Sequence, residues 1–215
     1  MADFVHLTNK TEYSLSEGAL PIARIAELCQ SFSMPAVGIS DNNNMFGALE
    51  FSEQIAKVGV QPILGCNIKI KTPKEYLHEN IEDNDLYFYL NIFSKNNEGY
   101  ENLLKCVSNA YTLNKGNAYV TIDDLIKFKE GLIILSGGNN SILTHSTGHM
   151  ITKQSKQFVS DFKSEFNDNF YIEIQRLGSD DYRLNEEAVL NLAYDNQIPL
   201  VATNDAYFEG PDHFE

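Results

Sequence analysis

The sequence predicts an α/β fold with mostly parallel strands, and three observations carry that expectation. Short apolar runs rich in β-branched and aromatic residues alternate with amphipathic segments of helical period, the pattern of linked strand and helix units. Seven such runs occur, too many for a small sheet. An internal echo supports a barrel: MPAVGISD at 34–41 and IPLVATND at 198–205, with the looser VQPILGCN at 60–67, each join a proline, an apolar strand and a polar strand end. Polar strand ends are where barrel enzymes keep their chemistry. Proline before a strand is also a common helix stop, so the echo places residues and does not argue duplication.

Taken in order, strands are expected at Phe4 to Leu7, Ala36 to Ser40, Ile63 to Ile70, Phe88 to Phe93, Leu132 to Leu135, Phe170 to Ile174 and Leu200 to Thr203. The first helix is expected over Pro21 to Ser33. Its Ile22, Ile25, Ala26 and Cys29 share one stripe, and proline suits a first helical turn. Phe46 to Val58, Glu98 to Thr112 and Arg183 to Tyr194 follow the same period, and Asp123 to Lys129 is a shorter helix. At 215 residues the chain is within the size of a single α/β barrel, so one compact domain over 1–215 is expected.

Composition narrows the function. Hydrophobic residues make up 43% of the chain, enough for a sizeable core. Sixteen Lys and Arg stand against 30 Asp and Glu, a net charge of -14, so few cations remain to neutralise nucleic-acid phosphates. The domain alone is not expected to grip DNA. Cys29, Cys66 and Cys106 are far apart and form no C-x-x-C pair, which fits a reducing compartment and argues against a cysteine zinc site. No signal peptide or membrane-length apolar run is present, so a soluble cytoplasmic protein is expected.

At this point particular phrases carry a resemblance. FVHLTNKTEYSLSEGAL, SDNNNMFGALEFSEQ, QPILGCNI, FSKNNEGYENLLKCVSNAY, EGLIILSGG, FYIEIQRLG and PLVATNDAYF, in this order along nearly the whole chain, resemble the N-terminal PHP (polymerase and histidinol phosphatase) domain of bacterial DNA polymerase III alpha subunits. The resemblance implies a distorted seven-stranded β/α barrel whose strand ends hold a metal cluster for phosphoester hydrolysis in active members. Residue by residue the cluster is not expected here. The opening His-x-His falls on Thr8 and Lys10. The Thr-Asp-His motif falls on Ser40, Asp41 and Asn42, and the acidic residue of the next strand falls on Asn67. The fourth-strand His falls on Tyr89, a Cys or His position on Gly138, and Asp-x-His on Asp205, Ala206 and Tyr207. Only Asp205 and Glu17 match ligand positions.

Asn, Tyr and Thr are weak substitutes for imidazole, thiolate and carboxylate donors, so no cofactor is expected in this chain. Lys10 is expected to pair with Asp41 or Asp205 and to replace the lost metal charge. The resemblance further implies that the chain is the first part of a much longer polymerase whose separate core uses Mg. Its implied partners are the remainder of that chain, the proofreading exonuclease subunit, and, through the full-length protein, other replicase subunits and DNA, with no membrane. Under that reading this piece has no catalytic residue. It stabilises the polymerase and docks the exonuclease. The alternatives are a divergent metal-dependent phosphoesterase or 3'-5' exonuclease using Glu17, Asp41 and Asp205, and an unrelated free-standing barrel.

The remaining histidines and cysteines carry weaker signals. His145 and His149 are four apart but lack the Glu of H-E-x-x-H, and Gly148 weakens a helix there. His6 is expected in a packed or hydrogen-bonded role. Cys66, without an adjacent His, is expected as a small buried hydrophobe and not a nucleophile.

Overall fold

The computed structural model of the chain describes residues 4–77, 86–114, 117–138, 141–143, 151–177 and 180–210. His145 and His149 lie outside them. Six strands form one sheet in sequence order: β1 Ala36–Asn42, β2 Gln61–Lys71, β3 Tyr87–Ser94, β4 Leu132–Leu135, β5 Phe170–Gln175 and β6 Leu200–Thr203. β1 and β2 pair in parallel, as do β4 with β5 and β5 with β6, whereas β3 runs antiparallel to both its neighbours. The sheet is therefore mixed. β3 returns antiparallel to β2, as a strand joined to its neighbour without a crossover helix does; the described part of the connection carries only the short 3-10 turn Lys74–Tyr76.

The expected seventh strand at Phe4 to Leu7 is corrected: that segment is extended but is not a strand of the sheet. It still does much of a strand's work. On one side the Gly38 amide donates to His6 O at 2.7 Å and the Ser40 amide to Asn9 O at 3.0 Å. On the other side Lys10 N donates to Ala206 O at 2.8 Å and Ala206 N to Thr8 O at 3.0 Å. The N-terminal segment thus bridges β1 to the chain just past β6, linking the two edges of the curled sheet. Its ladder is incomplete because the Asn9 side chain takes backbone acceptors, His6 O at 3.1 Å and Gly38 O at 2.9 Å, in place of regular amide pairing.

The helices are α1 Ile22–Ser31, α2 Ala48–Lys57, α3 Asn97–Leu113, α4 Ile122–Lys127, α5 Lys153–Phe166 and α6 Asp180–Asp195. α3 starts where Asn96 accepts from Gly99 N, and α4 where Thr121 accepts from Asp124 N, both ordinary side-chain N-caps. α5 is absent from the expected helices. Its signal was present: Thr152 caps Ser155 N, and Phe158, Val159, Phe162 and Phe166 fall on one buried stripe. Lysine, glutamine and serine between those positions conceal the stripe in a linear reading.

The pleat sorts side chains between two environments. Outward-pointing Phe88, Leu90 and Ile92 of β3, Leu132 and Ile134 of β4, and Phe170 and Ile172 of β5 join Leu103, Cys106, Phe158 and Phe162 of the helices in the larger core. Val37 and Ile39 of β1 pack with Ile22, Ile25, Phe51 and Ile55 of α1 and α2 in a smaller one. The alternate residues Ser40, Asn67, Asn91, Glu173, Gln175 and Thr203 are buried and polar. They face the inside of the curl and meet there.

Candidate functional site

Lys10 is the centre of this interior. It is 0% exposed, its Nζ donates to the Ser40 carbonyl oxygen and to Ser40 Oγ at 3.1 Å, and it lies 3.8 Å from Asp205 Oδ1. The expected pairing falls on Asp205 and not on Asp41. Burial pulls the Lys10 ammonium below its ordinary value, opposed first by the Asp205 carboxylate and then by Cys66, Glu173 and Asp41.

Asp41 is held by other groups. Its carboxylate accepts from Thr11 N at 2.6 Å, Thr11 Oγ1 at 2.7 Å and Ser14 Oγ at 2.7 Å. Those donors come from the turn that follows Lys10, so Asp41 secures the N-terminal segment to the end of β1. Such saturation leaves little lone-pair capacity for a metal.

Sequence reasoning missed the acid at the bottom of the network. Glu173 is 4% exposed and accepts from Asn91 Nδ2 at 3.1 and 3.0 Å, Gly137 N at 3.1 Å, Gln175 Nε2 at 3.2 Å and Thr203 Oγ1 at 2.5 Å. Burial pushes its carboxyl above the usual range, and the Thr203 and Asn91 hydrogen bonds work against that. Gly137 reaches it with φ at 92°, a region that favours glycine. Asn91 connects the acid to the cation: Ser40 Oγ, which accepts from Lys10, donates to Asn91 Oδ1 at 2.6 Å. One signal could have located Glu173, since in FYIEIQ a Glu and a Gln share the parity opposite to Phe170, Ile172 and Ile174.

Toward solvent lies a cleft of about 910 Å³ whose lining includes Glu17, Asn42, Asn67, Tyr89, Tyr207 and Phe208. Asn42 Nδ2 donates to Glu17 Oε2, and Asn67 Nδ2 to Asn42 Oδ1 at 2.9 Å. The Tyr207 hydroxyl donates to Asp205 Oδ2 at 3.1 Å, and burial pushes its phenol up. Burial also raises the Tyr89 phenol. Gly138, with φ at 52°, packs so closely on Gln175 that a Cβ would lie 2.3 Å from its amide carbon. Thr8, Lys10, Asp41, Asn67, Asp205 and Tyr207 therefore belong to one region, Glu17 sits exposed at its rim, and Gly138 stands beside Gln175.

These donors do not fit a divalent cluster. Among the described residues no group of three or more His, Cys, Asp or Glu side chains is placed to hold a metal ion. The buried Thr8 Oγ1 and Asn67 Oδ1 have no hydrogen-bond partner, yet both are neutral, weakly donating oxygens. The ammonium adds repulsion: unit charges 4 Å apart interact by about 4 kcal/mol near a protein surface, and a divalent ion doubles it.

Cys66 is not a nucleophile in this setting. It is 0% exposed, its Sγ donates to Asp41 O at 3.3 Å, and burial pushes the thiol up to about 12. Iodoacetamide at pH 8 should leave Cys66 unmodified in the folded chain and label it after denaturation, as read by peptide mass spectrometry. Native labelling at the denatured rate would contradict the buried placement.

The fold and the site define an α/β domain with a curled mixed sheet, helices outside and a polar centre at the strand ends. A solved structure from Bifidobacterium adolescentis assigned as a metal-dependent phosphoesterase shares that fold with TM-score 0.64 at 11% identity, over 96% of this chain and 88% of its own. An amidohydrolase from Chromobacterium violaceum, with bound sulfate and no metal, gives 0.62 at 11% identity over 97% and 89%. The chain belongs to the PHP domain family, whose model matches residues 6–177. It is similar to DNA polymerase III subunit alpha of Caulobacter vibrioides, 35% identical over 99% of the chain, and of Haemophilus influenzae, 31% identical over 99%. The chain spans 18% of the length of each of these relatives. No helix among the described residues is long and apolar enough to cross a membrane.

Proposed function

We propose that the chain is the N-terminal PHP domain of a replicative DNA-directed DNA polymerase, metal-free and without hydrolytic activity of its own. In this reading it stabilises the polymerase and docks the proofreading exonuclease subunit in the cytoplasm. The observation that supports catalytic silence is the buried Lys10 ammonium 3.8 Å from Asp205, a charge that would repel a divalent ion brought to that carboxylate. The polymerase assignment is supported by the similarity to alpha subunits along the whole chain. A net charge of -14 favours a docking role over direct DNA binding. The vestigial cleft comprises Thr8, Lys10, Glu17, Asp41, Asn42, Asn67, Tyr89, Gly138, Asp205 and Tyr207.

A one-metal phosphoesterase or exonuclease on Glu17, Asp41 and Asp205 is the competing reading. It would have to strip Asp41 of three donors and displace an ammonium. Elemental analysis of purified chain should find far less than one equivalent of Zn, Mn or Fe. Incubation with 3'-ended DNA and Mn or Mg should release no nucleotide or phosphate. The chain should also form a complex with the proofreading subunit of its own organism by size exclusion. Stoichiometric metal together with hydrolysis abolished by Asp205→Ala would overturn the catalytic part, and absence of the complex would remove the docking part.

A further inference from the structure

We propose that the Lys10 ammonium is a tethered replacement for a metal ion, a cation carried by the chain itself that neutralises Asp205 and Glu173 and joins the N-terminal segment to the inside of the sheet. The proposal rests on the metal-free reading and goes beyond it, because a site can lack metal with nothing in its place. It differs from an ordinary ion pair in what it links. Through Ser40 the ammonium reaches β1, through Asn91 it reaches β3, and from there both oxygens of Glu173 on β5. Asp205, just past β6, faces it directly. One cation therefore connects β1, β3 and β5 with the segment past β6, directly or through intervening side chains, which is the structural contribution a bound ion makes.

Charge balance supports the same view. Glu173 and Lys10 are both buried, and a buried charge without a counter-charge is expensive. Asp41 obtains its compensation from Thr11 and Ser14, which leaves Lys10 to serve Asp205 and Glu173. Burial opposes the charged form of Lys10, and the surrounding carboxylates, Asp205 first, work against that. Methionine at this position would fill nearly the same volume without the charge. Alanine would leave a gap the size and shape of propylammonium, the part of the lysine side chain beyond Cβ.

That gap is the test. Lys10→Met should lower the thermal midpoint of the chain by about 10 °C, from the cost of breaking a buried pair and the usual conversion for a chain of this size. Lys10→Ala should fall at least as far and be raised again, saturably, by propylammonium chloride, while equal KCl has no such effect. Propylammonium should not move the wild type or Lys10→Met, where the gap is filled. Lys10→Met with Asp205→Asn should lose less than the sum of the two single variants. Should Lys10→Met fail to accumulate in soluble form, recovery of soluble, cooperatively melting protein in the double variant carries the same meaning. The proposal is overturned if Lys10→Met melts with the wild type, if Lys10→Ala responds to KCl and propylammonium alike, or if the double variant is no better than Lys10→Met. Stoichiometric metal in the wild-type chain would instead sink the reading beneath it, so the two failures are told apart.

Discussion

Glu173→Ala destabilises the chain by about 3 to 5 kcal/mol, the cost of removing one partner from a buried charged network. The carboxylate accepts from four groups: the Asn91 amide nitrogen, the Gly137 amide, the Gln175 amide nitrogen and the Thr203 hydroxyl. Each buried group left without its partner costs about 1 to 3 kcal/mol. The relief of no longer burying a carboxylate offsets part of this, which holds the total near the stated range and below the sum. Urea unfolding with a shared m-value measures it. A loss under about 1 kcal/mol would mean that Glu173 is tolerated by the network and does not hold it together.

Glu173→Gln separates charge from shape. The wild-type carboxyl has its folded value raised above the ordinary 4.5, so the folded state holds the proton more tightly than the unfolded state does. Its contribution is therefore fully present below the ordinary value and is lost as pH rises through the raised one. Subtracting the Glu173→Gln stability curve from the wild-type curve should leave a decline with rising pH above about 4.5. A difference that is flat, or that rises with pH, would contradict the burial argument.

Gly38→Ala is expected to cost about 2 to 4 kcal/mol, as overpacking against backbone does when no flexible side chain can give way. A Cβ there would lie 2.2 Å from Leu7 O and 2.8 Å from Leu7 C and Cα. The glycine is needed for close approach and not for its torsion. Displacing the segment breaks the bond from Gly38 N to His6 O and that from Ser40 N to Asn9 O, and these set the position of Lys10 and Thr11. The variant should therefore lose thermal stability and also become sensitive to limited proteolysis within the first twenty residues. Stability unchanged within about 0.5 kcal/mol, with the N-terminal segment still protected, would show that the segment is docked by other contacts.

Particular residues show how much was legible. Ala36, Leu132, Phe170 and Leu200 begin strands in the structure as their β-branched and aromatic runs suggest, because outward-facing apolar alternation is a local property. Strand direction was less accessible. Nothing in YFYLNIF distinguishes an antiparallel return from a parallel one, and only the connection decides it. Likewise FVHL reads as a strand, yet Asn9 spends its side chain on His6 and Gly38 carbonyls and the ladder stops. Within the site, Asp41 and Asp205 were visible as polar strand ends, and Lys10 as a cation close to them. Glu173 was readable only as lying on the face opposite to Phe170, Ile172 and Ile174; that this face is the buried inside of a curl was not in the sequence.

By itself the sequence determined the α/β class, the placement of most strands and the resemblance to PHP domains, and from that resemblance came the expectation that Thr8, Lys10, Asn42, Asn67 and Tyr89 stand at ligand positions of active members. These are matters of residue type and of spacing along the chain. Only the tertiary structure decided that Lys10 faces Asp205 while Asp41 is taken by Thr11 and Ser14, and that Ser40, Asn91 and Glu173 complete its network. Those choices depend on which groups are buried together. Lys10 meets Ser40 across 30 positions of sequence and Asn91 meets Glu173 across 82, so their energies exist only once the sheet has curled and excluded water.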